Sequence, residues 1–283
     1  MVSIPSDAIE QTLVYKETEQ KSIELIWRAP TNRIYEKAPV FLVIPGGGWR
    51  VESKTDMLTL VPGASETLRE RGWAVVSIDY RVIPQGVSSI QMLSDCCDAC
   101  RYLAHFADEL GLDRDRFVIG GHSAGGHLAL MVSLAPHSLF TADSPYDVKA
   151  DDFTVVGSAP MSPLTTLCPY CDKSFPEFFR FGAVFVHDED TERVMHLVSP
   201  IDYLTPASVP VLLMYGSHDS CVSPVHSLMF LDRAKLVGAP VTPVCSAFGD
   251  HCFESFRPSA FASHPDLTEM QPILADWVDG LIR

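Results

Sequence analysis

A single serine lies in a glycine-rich turn near the middle of the chain, and this turn constrains the fold most strongly. The apolar run 117–119 precedes the turn and has the composition of a buried strand. An apolar segment of helical length, 124–134, follows the turn and ends before Pro136. The pattern predicts a strained strand–turn–helix that exposes the Ser123 hydroxyl at a helix N-terminus, where developing negative charge is favoured. An incidental serine in a glycine-rich turn is the alternative, because the pattern Gly-x-Ser-x-Gly is weak without its context.

Strands alternate with helices along the rest of the chain, after an N-terminal hairpin over residues 12–28. The predicted strands and helices cover 40–44, 56–71, 73–80, 87–110, 153–159, 209–215, 223–237, 241–247 and 267–282. The helix over 56–71 is open to interruption near Pro62 and Gly63. This order predicts an α/β fold with a mainly parallel central sheet and helices on both faces. We find no repeat or linker, so residues 1–283 are expected to form one domain, with 160–195 as an insertion that could act as a lid.

The composition excludes some partners. The chain has 21 basic and 36 acidic side chains, a formal charge of −15, so nucleic acid and anionic membranes would repel it. The N-terminus lacks the basic start and apolar run of a signal peptide, and no apolar stretch is long enough to span a bilayer. These features predict a cytoplasmic protein without membrane or nucleic-acid partners.

A base and an acid follow two later strands of the predicted sheet. The strand ending at Tyr215 leads into a turn that carries Asp219, and the strand ending near Ala247 leads into a loop that carries His251. Because the carboxyl ends of parallel strands meet at one edge of the sheet, we expect both side chains near Ser123. A serine hydroxyl needs a base, and the base needs an orienting acid, so the predicted catalytic group is Ser123, His251 and Asp219.

Four neighbouring residues offer alternatives for these roles. His122 and His127 adjoin the turn, although a tight turn points His122 away from the Ser123 hydroxyl. His218 directly precedes Asp219 and could compete as the base. Asp250 could replace Asp219 as the orienting acid, although sequence neighbours such as Asp250 and His251 rarely face each other.

A triple glycine, residues 46–48, directly follows the buried strand 40–44. Glycine lets the backbone lie against a substrate, so these residues can supply the N–H donors that a reacting oxyanion needs. Ala124, the residue after the serine, is expected to supply another donor. A merely flexible turn is the alternative, and its position at a strand end beside the serine counts against it.

Eight cysteines are present. Cys168 and Cys171 have the C-x-x-C spacing of dithiol and metal sites, but the strand and helix that should flank such a motif are missing from the pattern. Reduced thiols in a cytosolic chain are the favoured interpretation.

Together these residues resemble the α/β-hydrolase fold, within its branch of esterases and lipases that carry an HGGG-type oxyanion loop. The matching segments are 45–49, 79–81, 121–126, 199–200, 216–219 and 250–253. The resemblance implies that Ser123 is the nucleophile, His251 the base and Asp219 its orienting acid. It also implies that Gly47, Gly48 and Ala124 donate to the oxyanion.

The chain departs from that branch at Pro45, where a histidine usually braces the oxyanion loop. The N-terminal segment is also short for the helical cap of lipase-like members, so a lid would have to come from residues 160–195. We expect Trp49, Phe178 and Phe179 to line the substrate pocket, with a plain core role for the phenylalanines equally open.

The expected function is a serine carboxylesterase that cleaves small, short-chain esters of the acetyl type through an acyl-enzyme, with no metal or organic cofactor. An amide or formamide hydrolase resembling kynurenine formamidase, and a peptidase-like hydrolase, could use the same residues. A catalytically idle hydrolase fold that serves as a binding module comes from a different class. The expected partner is a small ester substrate, and a homodimer is left open.

Overall fold

One central sheet of eight strands organises the molecule in the computed structural model, which describes residues 9–51, 53–147, 149–168, 191–255 and 261–283. The strands are β1 (Glu10–Glu17), β2 (Ser22–Arg28), β3 (Ala38–Ile44), β4 (Ala74–Ile78), β5 (Leu112–His122), β6 (Val155–Met161), β7 (Val211–Gly216) and β8 (Val241–Ser246). Their order is β1-β2-β4-β3-β5-β6-β7-β8. Strands β3 to β8 run parallel, whereas β2 pairs antiparallel with both β1 and β4. The predicted hairpin and the mainly parallel sheet are confirmed.

Helices cover both faces of this sheet. They are α1 (Asp56–Leu60), α2 (Pro62–Glu70), α3 (Ser89–His105), α4 (Ala107–Leu110), α5 (Ala124–Leu134), α6 (Thr191–Leu197), α7 (Val225–Val237) and α8 (Leu267–Gly280). Helices α3 and α5 share one hydrophobic cluster with one face of the sheet, and α2 and α8 share another with the opposite face. Within the described residues, no helix combines the length and apolar character needed to cross a bilayer.

Strand β3 shows why the sheet is buried on both faces. Val40, Leu42 and Ile44 point into the cluster of α3 and α5, whereas Phe41 and Val43 point into the cluster of α2 and α8. All five side chains are at most 1% exposed. A strand covered on both sides reads as a continuous apolar run, which is the pattern of its sequence.

Two predicted helices are each divided in the structure. The segment 56–71 forms α1 and α2, which part at Val61 because Pro62 opens the second helix. The segment 87–110 forms α3 and α4, which part at Phe106. Helix α3 begins after Ser88, whose hydroxyl accepts a hydrogen bond from the Gln91 N–H at 3.2 Å and so caps it.

Buried charges join the N-terminal hairpin to α3, and the sequence did not predict them. Lys16 on β1 lies 2.9 Å from Asp95 and 2.7 Å from Asp98, and Arg81 donates two hydrogen bonds to Asp95. Arg101 also binds Asp98 at 2.7 Å. Removing one member would leave an uncompensated buried charge, so the network fixes the hairpin against the helix.

Candidate active site

Ser123 occupies the turn between β5 and α5 with a backbone that few residues tolerate. Its φ is 56° and its ψ is −121°, and its side chain is almost fully buried. A Cβ on Gly125 would overlap the carbonyl oxygens of Ile44 and Pro45, so only glycine allows this close approach of helix and strand. The Ser123 N–H donates to the Met161 carbonyl at 2.8 Å, which anchors the turn to β6. Strain held by such surroundings is typical of functional turns.

The register of the sheet brings the functional loops to one edge. Ile44 at the end of β3 pairs with Gly121 near the end of β5, so the glycine loop leaves the sheet beside the serine turn. Gly216 at the end of β7 pairs with Ser246 at the end of β8, so the two loops that follow also leave together. This is the carboxyl edge of the parallel strands, where the sequence predicted the site.

His251 and Asp219 are brought into direct contact. His251 Nδ1 lies 2.8 Å from Asp219 Oδ2 and 3.0 Å from Oδ1. The carboxylate is itself held, because its Oδ1 accepts the backbone N–H groups of Cys221 at 2.9 Å and Val222 at 2.7 Å. Burial of the His251 ring lowers its pKa, but the Asp219 hydrogen bond and negative charge, with a contact from Cys221, outweigh burial and raise the pKa above its ordinary value.

Two of the alternative residues make other contacts. Asp250 Oδ1 accepts the Ser220 N–H at 2.7 Å and the His251 backbone N–H at 2.8 Å, so this carboxylate fixes the loop rather than the ring of His251. His218 Nδ1 lies 2.8 Å from Ser217 Oγ, and its ring packs against Phe248. The ring of His251 meets Asp219 and not Asp250, as the sequence predicted.

His122 contributes a contact that the sequence did not suggest. Its Nε2–H donates to the backbone carbonyl of His251 at 2.9 Å, and the two rings lie 4.6 Å apart. Ser162 Oγ donates to the same carbonyl at 2.9 Å. Burial and the neighbouring His251 lower the pKa of His122 to about 4, so the ring is neutral at physiological pH. The residue next to Ser123 therefore ties the serine turn to the main chain of His251.

His127 is fully buried in the first turn of α5, where its backbone N–H donates to the Ser123 carbonyl at 3.0 Å. Its Nε2–H donates to the Val198 carbonyl at 2.8 Å, and burial lowers its pKa to about 4. Trp49 packs edge to face on this ring, with the ring centroids 5.3 Å apart and its own side chain fully buried. The structure thus places Trp49 behind the glycine loop, and its contact with substrate stays a prediction. Phe178 and Phe179 lie outside the described residues.

The glycine loop lies directly against the serine turn. A Cβ on Gly46 would come within 3.3 Å of Ser123 Cβ, and Gly47 and Gly48 have φ values of 110° and 60°. Such positive angles suit glycine and let backbone N–H groups face a ligand. Ala124 begins α5, and the first N–H groups of a helix have no acceptor within it.

A buried tyrosine hydroxyl braces this loop from β4's side. Tyr80 Oη donates to the Pro45 carbonyl at 3.1 Å, with Gly46 O 3.5 Å away, and the side chain is fully buried. This hydrogen bond braces the loop at the position where the related esterases usually have a histidine, because the Tyr80 hydroxyl holds the backbone carbonyl that Pro45 retains. The sequence showed a tyrosine, Tyr80, shortly after β4, but it did not show where the Tyr80 hydroxyl points.

The family model described as BD-FAE matches residues 29–233, well over half of the chain. The chain belongs to the BD-FAE family. Among curated proteins, this BD-FAE chain is 28% identical over 243 residues to "Probable carboxylic ester hydrolase LipM" and 30% identical over 226 residues to "Esterase LipC", both from Mycobacterium tuberculosis. The matches cover 84% and 75% of this chain but 54% and 52% of those proteins, so the chain spans about half the length of the curated relatives it matches.

Solved structures of esterases share the fold of this BD-FAE chain. The esterase Est2 of Thermogutta terrifontis superposes with a TM-score of 0.74 at 21% identity, covering 98% of this chain and 93% of that one. A truncated carbohydrate esterase from gut microbiota superposes with a TM-score of 0.75 at 20% identity, covering 96% of each. The α/β-hydrolase fold expected from the sequence is confirmed.

Proposed function

We propose that this BD-FAE protein is a serine carboxylesterase. One arrangement carries the proposal: Ser123 in a strained turn at the sheet edge, joined through His122 to a histidine that binds a buried carboxylate. An isolated serine hydroxyl is a weak nucleophile, and a histidine oriented by a carboxylate is the usual means of activating it. The esterase names of the relatives support the same chemistry.

In the proposed reaction, Ser123 Oγ attacks the ester carbonyl carbon while His251 accepts the hydroxyl proton. His251 then gives that proton to the leaving alcohol, which departs as the C–O bond breaks and an acyl-serine forms. A water molecule then hydrolyses the acyl-serine in the same way. His251 takes a proton from the water, and the water oxygen attacks the acyl carbon. Ser123 recovers the proton from His251 as the carboxylic acid leaves. Asp219 stabilises the imidazolium that forms in both halves.

The N–H groups of Gly47, Gly48 and Ala124 are proposed to receive the oxyanion of each tetrahedral intermediate. They lie at the ends of two neighbouring elements, β3 and α5, whose contact through Gly125 fixes their spacing before substrate arrives. Donors held in place in this way need no reorganisation during the reaction.

The direct test replaces the nucleophile. Ser123→Ala should remove hydrolysis of p-nitrophenyl acetate to near the rate of the uncatalysed reaction, and a fluorophosphonate probe should label the wild-type chain but not the variant. Circular dichroism should show that the variant is folded. Turnover by Ser123→Ala at the wild-type rate would refute the proposal, whereas an unlabelled and inactive wild-type chain would favour a binding module.

Short-chain, acetyl-type esters are the proposed substrates. Structures of Thermogutta terrifontis Est2 are described as propionate bound and butyrate bound, and we propose similarly short acyl groups for this chain. A panel of p-nitrophenyl esters from acetate to decanoate should give kcat/KM values that fall as the chain lengthens. Acetylated sugars, formylkynurenine and dipeptide amides in the same panel separate the ester from the amide and peptidase alternatives.

The domain organisation, cellular location and oligomeric state of the molecule are part of the same proposal. We take residues 1–283 as one catalytic domain with 160–195 as an insertion, acting in the cytoplasm on a small-molecule ester. Size-exclusion chromatography with light scattering would show whether it works as a homodimer.

A further inference from the structure

A second group of reactive side chains lies apart from Ser123 and His251, beyond the end of β6. Cys168 is buried, and its Sγ lies 3.4 Å from Nδ1 and 3.6 Å from Nε2 of His196. His196 Nδ1 lies 2.7 Å from Asp202 Oδ2. One ligand atom from each of the three residues lies within 4.8 Å of the others. We propose that Cys168, His196 and Asp202 form a binding site for a zinc-like divalent transition metal.

The sulfur–nitrogen distance suits a tetrahedral ion. Zinc binds sulfur at about 2.3 Å and nitrogen at about 2.0 Å, so the sulfur–nitrogen edge of its tetrahedron is about 3.5 Å. The Cys168–His196 separation of 3.4 Å is close to that edge. The sulfur is almost equidistant from both ring nitrogens, so ligation needs a rotation of the imidazole ring. The His196 side chain is 55% exposed, so much of the ring borders solvent, and its rotation would exchange the hydrogen bond to Asp202 for a bond to the metal.

The backbone around the three ligands is already fixed. The Ile201 N–H donates to the Thr165 carbonyl at 3.0 Å, and the Leu167 N–H donates to Ser199 Oγ at 2.8 Å. Ser199 Oγ in turn donates to the Met195 carbonyl at 2.7 Å, which ties the end of α6 to the same segment. A metal would therefore add bonds to a preformed frame instead of ordering a loose one.

The chemistry of the ligands selects the class of metal. A thiolate is a soft ligand that favours zinc and related transition ions, whereas magnesium and calcium prefer oxygen alone. A thiolate and a carboxylate bring two negative charges to one imidazole, in a chain whose formal charge is −15. His196 and Asp202 are exposed, so water can complete the coordination. The ligands lie on both sides of residues 169–190, so a bound ion would join the two chain segments that flank them.

Cobalt(II) titration of the full-length chain under reducing conditions tests this site. We expect a sulfur-to-cobalt charge-transfer band in the near ultraviolet and intense visible bands of tetrahedral cobalt, both displaced by zinc. Cys168→Ser should remove the charge-transfer band. His196→Gln and Asp202→Asn, both at exposed positions, should each weaken cobalt binding by more than about tenfold. Cys245→Ser removes an exposed thiol elsewhere and should leave the spectrum unchanged.

Two results would overturn the inference. One is the absence of cobalt binding at micromolar concentration by the folded wild-type chain. The other is a charge-transfer band that persists in Cys168→Ser but disappears in Cys221→Ser, because Cys221 contacts His251 and would then be the true ligand. If Cys168→Ser fails to fold, unchanged cobalt affinity in both His196→Gln and Asp202→Asn would overturn the proposal equally.

Discussion

At the scale of single residues, the two carboxylates near His251 have distinct contacts. Asp219 binds the ring, whereas Asp250 binds backbone and hydroxyl donors of the two loops. A histidine acts as a base only when neutral, so kcat/KM should rise as pH rises through the His251 pKa. Asp219 raises that pKa, which places the rising limb above the pH expected for an isolated histidine.

Replacing Asp219 by asparagine should therefore have two effects. The plateau of kcat/KM should fall by about 10³- to 10⁴-fold, because the imidazolium loses its stabilising charge. The rising limb should also move to lower pH, since the charge that favours protonated His251 is gone. The matched variant Asp250→Asn should lower the plateau far less. A larger loss in Asp250→Asn than in Asp219→Asn would reverse the assignment of the orienting acid.

Some features of single residues follow from the local sequence, whereas others depend on contacts with distant parts of the chain. The positions of Ser123, Asp219 and His251 at the carboxyl edge of the sheet could be predicted, because each lies at most five residues past the end of a strand whose composition identifies it. The contacts of His122 and Tyr80 could not, because their partners lie 129 and 35 positions away and depend on how the loops pack. The same holds for the proposed metal ligands Cys168 and His196, which lie 28 positions apart in the chain.

At the scale of elements, the glycine loop depends on a neighbour that is not part of it. Tyr80 follows β4, and its hydroxyl holds the Pro45 carbonyl at the start of the loop that follows β3. The parallel pairing of β3 and β4 places these two segments side by side. The glycine loop, which carries the proposed oxyanion donors, is thus positioned by two strands together.

Tyr80→Phe should lower kcat more than it raises KM. Without the hydroxyl, the buried Pro45 carbonyl loses a donor, and the glycine loop loses its fixed position where the transition state needs it. Stability should fall by about 1–2 kcal/mol. Tyr203→Phe, which removes a 2.7 Å hydrogen bond to the Leu197 carbonyl, is the control for lost stability without a change in kcat. Steady-state kinetics and urea unfolding measure both, and equal kcat values in the two variants would contradict this role.

Helix boundaries could be predicted where a proline or glycine marks them, and they were missed where tertiary packing alone sets them. Pro62 signals the division between α1 and α2, which the sequence indicated. The division at Phe106 has no proline or glycine to mark it, so the helical pattern ran on to Leu110. Helix α6 begins at Thr191, inside the segment 160–195, whose mixed composition matched neither helical nor strand spacing.

At the scale of the whole molecule, two buried histidines make stability depend on pH. The pKa values of His122 and His127 are both lowered to about 4, mainly by burial, whereas an unfolded chain protonates histidine near pH 6.5. The unfolded state therefore binds protons first, and stability is lost as pH falls from about 6.5 towards 4. His251 acts in the opposite direction and in a higher window, because its pKa is raised to about 10: its contribution to stability is complete below pH 6.5 and is lost as pH rises towards 10.

The free energy of unfolding in urea should thus decrease between pH 7 and pH 5. Each lowered histidine should contribute about 2 kcal/mol of this decrease at pH 5. His127→Gln keeps a donor for the Val198 carbonyl but cannot titrate, so its stability should depend less on pH in this range. Parallel pH dependence in the wild type and in His127→Gln would show that burial does not suppress protonation of this ring.

The fold as a whole was more predictable than its internal bonds. Continuous apolar runs such as β3 identify strands buried on both faces, and their alternation with helices leaves few arrangements of the sheet. The charged network around Lys16 was not predictable, since a lysine in an amphipathic hairpin strand is normally exposed. Long-range polar pairing has no short-range sequence pattern.

The far end of the sheet has a consequence for how copies of this chain can meet. Strand β8 is last in the strand order, and Pro243 lies at its middle, paired in register with Leu213 of β7. A proline has no backbone N–H, and within a paired strand the missing donor is tolerated where it faces the open edge. A strand from another molecule that paired with β8 would lack one backbone hydrogen bond at Pro243. Growth of the sheet from one molecule into the next is disfavoured at β8, so a dimer would have to associate through side-chain surfaces or through the β1 edge.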